Sequence, residues 1–387
     1  MEKIKSGIIG TGFIGPTHIE AIRRLGFVEV IGLAGHNKDT TEKKAAELGI
    51  SKVYEHYRDM LQDSEIQVVH NCTPNHLHFE INKEIILEGK HVLSEKPLAI
   101  SCKESSELLA LAKKQNIVHG VNFNYRQFPI IKQLKAMIAN EELGKVNLVH
   151  GSYLQDWLLF DTDFSWRLTA ETGGKSRAVA DIGSHWCDTV QYVLGKKIVE
   201  VFADLATVIP VRKKPVSNIS TFGAHKAQDE VYEDITIDTE DYASVLVRFD
   251  DGTRGAFTVS QVSAGRKNKL EFEINGSQHS ACWNQEEPEK LWIGHRDKAN
   301  EILLADPSLF VPEARDSIHH PGGHNEGWPD ALKNMMNNFY TYILEEKLPS
   351  SDRANFATFE DGHLSMCITE AILESHKKQK WVKVQDH

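Results

Sequence analysis

At 387 residues and 43.6 kDa the chain is longer than one hydrophobic core usually serves, and roughly 150 residues per domain makes two domains the simplest division. A content of 41% hydrophobic and 26% charged residues excludes a fibrous repeat and a disordered chain. The net charge of -11 argues against nucleic acid and anionic membranes as partners, and Arg212-Lys213-Lys214 is too short a basic run to reverse it.

Residues 4–10 (IKSGIIG) read as a strand that leads into Gly10-Thr11-Gly12-Phe13-Ile14-Gly15 and an apolar-periodic helix from Ile14 to Leu25. The spacing is G-x-G-x-x-G. Its first glycine permits a tight turn, its second lets the backbone approach a pyrophosphate, and its third allows close packing of helix on strand. The N–H groups of the helix start then face the phosphates. Three glycines alone are a weak signal, but the flanking strand and helix and a second strand, Val28–Ala34, supply the context.

The alternation continues with a helix from Thr40 to Leu48, strands Lys52–Tyr54 and Val68–Asn71, and a helix from His76 to Glu88. Strand His91–Leu93, a helix from Lys103 to Lys114 and strand Val118–Asn122 complete a parallel βαβ series. The glycine turn, Thr73-Pro74-Asn75 and Glu95-Lys96-Pro97 all fall at the carboxyl ends of strands, where such sheets bind ligands. The second strand ends Ala34-Gly35-His36-Asn37-Lys38-Asp39, without the acid that an NAD site usually offers to the ribose. His36, Asn37 and Lys38 suit a 2′-phosphate, or Asn37 suits ribose hydroxyls, so NAD and NADP both stay open.

Past Asn122-Phe123-Asn124-Tyr125-Arg126 the pattern changes. A helix from Pro129 to Asn140 precedes strand Val146–Gln155. Segments Ile198–Val208, Tyr242–Phe249, Gly255–Val262 and Leu270–Asn275 have the character of a mostly antiparallel sheet with one wetter face. Between them, 211–240 reads as a long excursion that closes over a neighbouring subunit or lacks order. Tyr153-Leu154-Gln155-Asp156-Trp157 and Ser165-Trp166-Arg167 combine aromatic faces with amides and charges, a mixture that suits sugar rings as well as core packing.

Ala180-Asp181-Ile182-Gly183-Ser184-His185 leads into a helix, on which Asp181 and His185 share a face. That pair serves equally as a structural hydrogen bond or as a proton-handling unit; a metal site would need more ligands. The histidine-rich loop His319 to His324 likewise lacks a metal pattern, and no metal is expected. Helices from Pro329 to Glu345 and from Asn355 to Lys377 close the chain. Five scattered cysteines without CxxC spacing give no disulfide framework or zinc knuckle, and no apolar leader or span appears, so a cytoplasmic location is expected.

With the glycine turn, Thr73-Pro74-Asn75-His76-Leu77-His78, Glu95-Lys96-Pro97 and Asp181-Ile182-Gly183-Ser184-His185 in this order, the chain resembles the glucose–fructose oxidoreductase, inositol dehydrogenase and rhizopine-catabolism (Gfo/Idh/MocA) family over nearly its whole length. The resemblance implies an α/β protein: an N-terminal Rossmann doubly wound parallel sheet at 1–124, then an α/β domain at 125–387 with a large, mostly antiparallel open sheet. That sheet would mediate a homo-oligomer, a dimer or tetramer. The implied cofactor is NAD or NADP, exchanging hydride with a hydroxyl-bearing carbon of a sugar, glycoside, anhydrosugar or cyclic polyol.

By the same resemblance the cofactor contacts fall on Gly10, Gly12, Phe13, Ile14, Gly15, His36, Asn37, Lys38, Thr73, Pro74, Asn75, His78, Glu95 and Lys96. Trp166 and Arg167 reach towards the cofactor or the pocket rim. Lys96, His185 and Asp181 form the catalytic set, and Tyr125, Gln155, Asp156, Asp181, His185 and His324 meet substrate. An imidazole titrates near neutral pH, which suits His185 to take the alcohol proton, while Lys96 stabilises the reacting oxygen or is itself the base. The resemblance also implies a cis Lys96–Pro97 peptide. Two other activities fit the same motifs: a nucleotide-binding sensor without turnover, and a lyase or glycosidase that uses NAD for transient oxidation.

Overall fold

The computed structural model describes residues 3–216 and 231–385, and the chain forms two compact units. One unit contains β1 (Ile4–Ile9), β2 (Val28–Ala34), β3 (Lys52–Tyr54), β4 (Val68–Asn71), β5 (His91–Ser94) and β6 (His119–Val121). They form one sheet in the order β3-β2-β1-β4-β5-β6, with every pairing parallel. Parallel strands covered by helices on both faces need apolar residues on both, and all four residues of β4 are buried. The strand order reverses between β1 and β4, the switch point at whose carboxyl ends sheets of this kind bind ligands.

The glycines of the turn have distinct reasons. Gly10 sits at φ 115°, and a Cβ there would lie 2.4 Å from the Cys72 carbonyl oxygen. At Gly15 a Cβ would lie 2.2 Å from the Gly10 oxygen, so the helix Ile14–Arg23 packs this closely on the turn only with glycine. A Cβ at Gly12 would meet nothing within 4 Å, which leaves open space before the turn.

This unit also takes Leu332–Met366, which the sequence-based boundary assigned to the other domain. Amphipathic helices reveal that one face is buried but not against what. Here Ala357 and Phe359 join the core of Leu98, Val121 and Phe123, and the Phe359 N–H donates to His119 Nδ1 at 3.1 Å.

The other unit comprises Asn124–Ala331 and 367–385. Its strands are β7 (Val146–Leu154), β8 (Ile198–Ala206), β9 (Val211–Pro215), β10 (Tyr232–Thr236), β11 (Tyr242–Phe249), β12 (Arg254–Ser260), β13 (Lys269–Gly276), β14 (Ser280–Asn284), β15 (Lys290–Gly294), β16 (Glu301–Leu304) and β17 (Val382–Lys383). Nine of them form a sheet in the order β16-β15-β14-β13-β7-β12-β11-β8-β17, antiparallel except for β7 beside β12. One face packs on the helix Ser184–Leu194, where Trp186 stacks on Phe257 with centroids 4.4 Å apart. Alternation turns Leu148, Leu246, Ile302 and Leu304 to the opposite face, where they are exposed.

The expected excursion over 211–240 begins and ends in a β9–β10 antiparallel pair, and 217–230 lie outside the described residues. Cys102 is disulfide-bonded, a state of which the scattered cysteine positions gave no sign. Among the described residues no helix is long and apolar enough to cross a membrane.

Candidate active site

In the first unit, Lys96 follows the buried residues of β5, is half-buried itself, and forms a cis peptide with Pro97. Glu95 behind it is fixed on both oxygens. Its Oε1 accepts from His18 Nε2 at 2.9 Å and from Asn122 Nδ2 at 2.6 Å, and its Oε2 accepts the Lys96 N–H at 3.2 Å. Burial works to raise this carboxyl's pKa, but the His18 and Asn122 bonds and the charge of Lys96 outweigh it and hold the value at about 2.

The Thr73 loop is tied down in the same manner. Asn71, the last residue of β4, accepts from Thr73 Oγ1 at 2.6 Å and donates to Asn82, which donates in turn to Ser94 Oγ, both at 2.9 Å. Pro74 precedes a short 3-10 turn, Asn75–Leu77, in which Asn75 is buried. His78 is fully buried, its ring nitrogens 2.6 Å from the Pro97 oxygen and 2.8 Å from the Thr73 oxygen, which makes it a brace between two loops rather than an open ligand. Burial holds its pKa below the usual imidazole range.

At the end of β2, Asn37 is the N-cap of the helix Lys38–Leu48 and accepts the Thr40 N–H at 3.0 Å. Its side-chain oxygen is therefore committed, leaving the NH2 group for a ribose. His36 and Lys38 are exposed, and Lys38 Nζ lies 3.6 Å from Glu55. Phe13 is also exposed, beside the open space at Gly12, while Ile14 is half-buried.

In the second unit the segment carrying Asp181 and His185 is helical but not uniform: Val179–Gly183 is a π turn that continues into the helix Ser184–Leu194. Such widened turns recur at functional sites. Its start is capped by the buried carboxylate of Glu240, whose Oε1 accepts from Ser176 Oγ at 2.7 Å, from Arg177 N at 2.9 Å and from Val179 N at 3.0 Å. Asp181 accepts from Gln261 Nε2 at 2.9 Å and lies 3.6 Å from Arg167 Nε. Arg167 stacks over Trp166 at 4.4 Å.

His185 is buried against the Tyr125 ring, edge-on at 4.7 Å, with Tyr153 at 6.3 Å. The two phenol oxygens are 2.7 Å apart and both bond Asn268, at 2.9 and 2.6 Å. Gln155 joins by donating to Asn268 Oδ1 at 2.8 Å and accepting from Trp157 at 2.9 Å. Burial pushes the Tyr125 phenol up to about 12 and Tyr153 higher, with the Asp181 charge adding to both, so both remain O–H donors. The Arg126–Asp188 pair, bonded at 2.8 and 2.5 Å, joins the residue after Tyr125 to the helix bearing His185.

Tyr125, Gln155, Asp181 and His185 thus share one polar cluster. Asp156 instead accepts from Gly265 N at 3.0 Å and Lys267 Nζ at 2.7 Å, which pins the turn that presents Asn268. His324 lies on an exposed loop with its ring on the Pro321 carbonyl at 3.1 Å. Asn268 and Gln261 had no local signature in the sequence, whereas Tyr153 stood within the aromatic run already singled out. Arg212, read as part of a basic cluster, is fully buried and donates to the Leu158 and Phe160 carbonyls, both at 2.8 Å.

Residues 4–123 match the model of an oxidoreductase family with an NAD-binding Rossmann fold, and 131–282 match the GFO/IDH/MocA C-terminal domain. Levoglucosan dehydrogenase of Pseudarthrobacter phenanthrenivorans is 30% identical over 406 residues, covering 99% of each chain. Myo-inositol 2-dehydrogenase of Thermotoga maritima is 24% identical over 384 residues, again 99% of each. Among solved structures, levoglucosan dehydrogenase in complex with NADH and levoglucosan superposes with a TM-score of 0.87 at 28% identity, over the full length of both chains.

Proposed function

As the chain belongs to the GFO/IDH/MocA oxidoreductase family, we propose that it is an NAD-dependent dehydrogenase of a sugar or anhydrosugar, acting on a secondary alcohol. The polar cluster of Tyr125, Tyr153, Gln155, Asn268, Asp181 and His185 carries this reading, because it combines apolar ring faces, hydroxyl-matching donors and acceptors, and one imidazole. The residues of the nucleotide unit fit the cofactor: a glycine turn with open space at Gly12, a helix start behind it, and loops fixed at Thr73 and Lys96. Asn37 offers its NH2 to a ribose, and the Glu55 carboxylate beside Lys38 repels a 2′-phosphate, which favours NAD over NADP.

Bound nicotinamide nucleotide supplies the hydride acceptor or donor. Lys96 stabilises the negative charge that develops on the reacting oxygen. His185 takes the hydroxyl proton, and Asp181, held by Gln261, bonds a neighbouring hydroxyl or steadies the imidazolium. Tyr125 and Gln155 orient the ring, with Trp166 and Arg167 at its rim.

The test is a thermal-shift and initial-rate panel of NAD and NADP with levoglucosan, myo-inositol, free hexoses and glycosides. NAD reduction with an anhydrosugar or sugar is the expected result. Nucleotide binding without turnover on any substrate would identify a sensor, and product without net reduction would identify transient oxidation. We also propose a homo-oligomer joined through the exposed sheet face that carries Leu148, Leu246, Ile302 and Leu304. Light scattering is expected to give a dimer or tetramer that Leu246→Glu weakens; a monomer would remove this part.

A further inference from the structure

We infer that His18 is a positioning residue for Lys96, acting through Glu95 and held in place by His70 and Tyr340; this rests on the dehydrogenase reading above. Four places in the first unit contribute to one buried line: the helix behind the glycine turn, the turn after β5, β4, and the helix Trp328–Leu344. His18, His70 and Tyr340 are completely buried. Tyr340 OH lies 2.7 Å from His70 Nε2, His70 Nδ1 3.0 Å from His18 Nδ1, and His18 Nε2 2.9 Å from Glu95 Oε1.

The chemistry of these atoms orders the protons. Glu95 is ionised and only accepts, so His18 carries its proton on Nε2. Burial holds His70 neutral, with one ring proton, and keeps the Tyr340 phenol protonated. His70 bridges the two ends of the line, its Nδ1 facing His18 Nδ1 and its Nε2 facing the Tyr340 hydroxyl. The Cys72 thiol, 3.5 Å from His18 Nδ1, is also kept protonated by burial and adds no charge.

The line ends at the Lys96 backbone, because the second Glu95 oxygen accepts its N–H. An apolar cluster of equal volume would serve stability as well, and what the polar line adds is orientation. The helix whose start faces the glycine turn and the turn that bears Lys96 are thereby made one body.

His18→Leu removes the donor. His18→Gln keeps an N–H near the Nε2 position, and Tyr340→Phe deletes one hydroxyl at constant shape. In His18→Leu, kcat is expected to fall by about 100-fold, as a misplacement of about 1 Å does, with the sugar KM and the NAD-induced thermal shift unchanged. His18→Gln should recover at least about tenfold of that loss. The Lys96 amine, labelled with limiting acetic anhydride and counted by mass spectrometry, should react about threefold faster in His18→Leu and as in wild type in His18→Gln, since a lysine on an unpinned turn samples more solvent.

Equal losses in the Leu and Gln variants, a change confined to KM, or an unaltered labelling rate in His18→Leu would overturn the inference. If His18→Leu fails to fold, Tyr340→Phe decides the matter through the same labelling, and a wild-type rate there overturns it. The labelling needs no substrate, so it stays decisive if the wild-type protein turns nothing over and the dehydrogenase reading itself falls.

Discussion

Lys96→Ala is expected to lower kcat by about 10²–10³ while leaving the fold and the NAD-induced thermal shift intact, the usual consequence of removing one preorganised electrostatic group from a reacting oxygen. The fold should survive because what fixes this turn is backbone and Glu95: the Lys96 N–H still reaches Glu95 Oε2, and His78 still braces the Pro97 carbonyl. The side chain itself is half-buried, so truncation opens no large cavity in the core of β5 and β6. Equal falls in kcat and kcat/KM would show that the amine acts in the transition state. A rise in KM alone would make Lys96 a plain binding residue, and full turnover would remove it from the chemistry.

The second large effect is expected at Asp241, which lies between two fully buried arginines, 3.4 Å from Arg177 and 3.7 Å from Arg212. Its oxygens also accept the Val208 N–H at 2.6 Å and the Ile209 N–H at 3.2 Å. Asp241→Ala leaves two buried guanidiniums facing one another without their carboxylate, at a cost of about 3–5 kcal/mol. The effect extends to chemistry, because Arg177 donates to Gln261 at 3.2 Å and Gln261 donates to Asp181. Denaturant unfolding should therefore show the loss of stability, and turnover near the native midpoint of the retained folded fraction should also be reduced. Asp241→Asn, which keeps one of the two acceptor oxygens for a backbone N–H, should lose less than Asp241→Ala. A variant at position 241 with wild-type stability would show that the arginines need no anion.

The nucleotide unit was legible in the sequence as far as its signals are local. Strand, glycine turn and helix follow within twenty residues, and the steric demands at Gly10 and Gly15 are those the spacing predicts. Residues 332–366 were misassigned because periodicity marks a buried face without naming its partner. His70 and Tyr340, which meet at 2.7 Å across most of the chain's length, carried no local mark for the same reason.

In the substrate unit the aromatic run holds Tyr153 and Gln155, which join the polar cluster, and Asp156, which holds a turn, whereas Tyr125 entered through the family resemblance. Asn268, at the centre of the cluster, stands in an unremarkable Arg266-Lys267-Asn268 stretch and gains its place from the start of β13 and the turn that Asp156 pins. The strands β14 to β16 were missed because they are short and are broken by charged turns such as Glu286-Glu287. Arg212 illustrates the limit of charge counting: a basic triplet is read as surface until burial is known.

The return of Leu332–Met366 to the first unit sets a schedule for synthesis. A ribosome that has released the last strand of the nucleotide sheet at Phe123 must still make everything up to Met366 before Tyr340, Ala357 and Phe359 can cover it, roughly 10–50 s at usual elongation rates. Throughout that interval the nascent sheet presents apolar surface with no partner yet made. The nucleotide half, first off the ribosome, is therefore among the last parts to finish folding, and a chain cut after residue 124 would carry every phosphate-binding motif without the segment that completes their core.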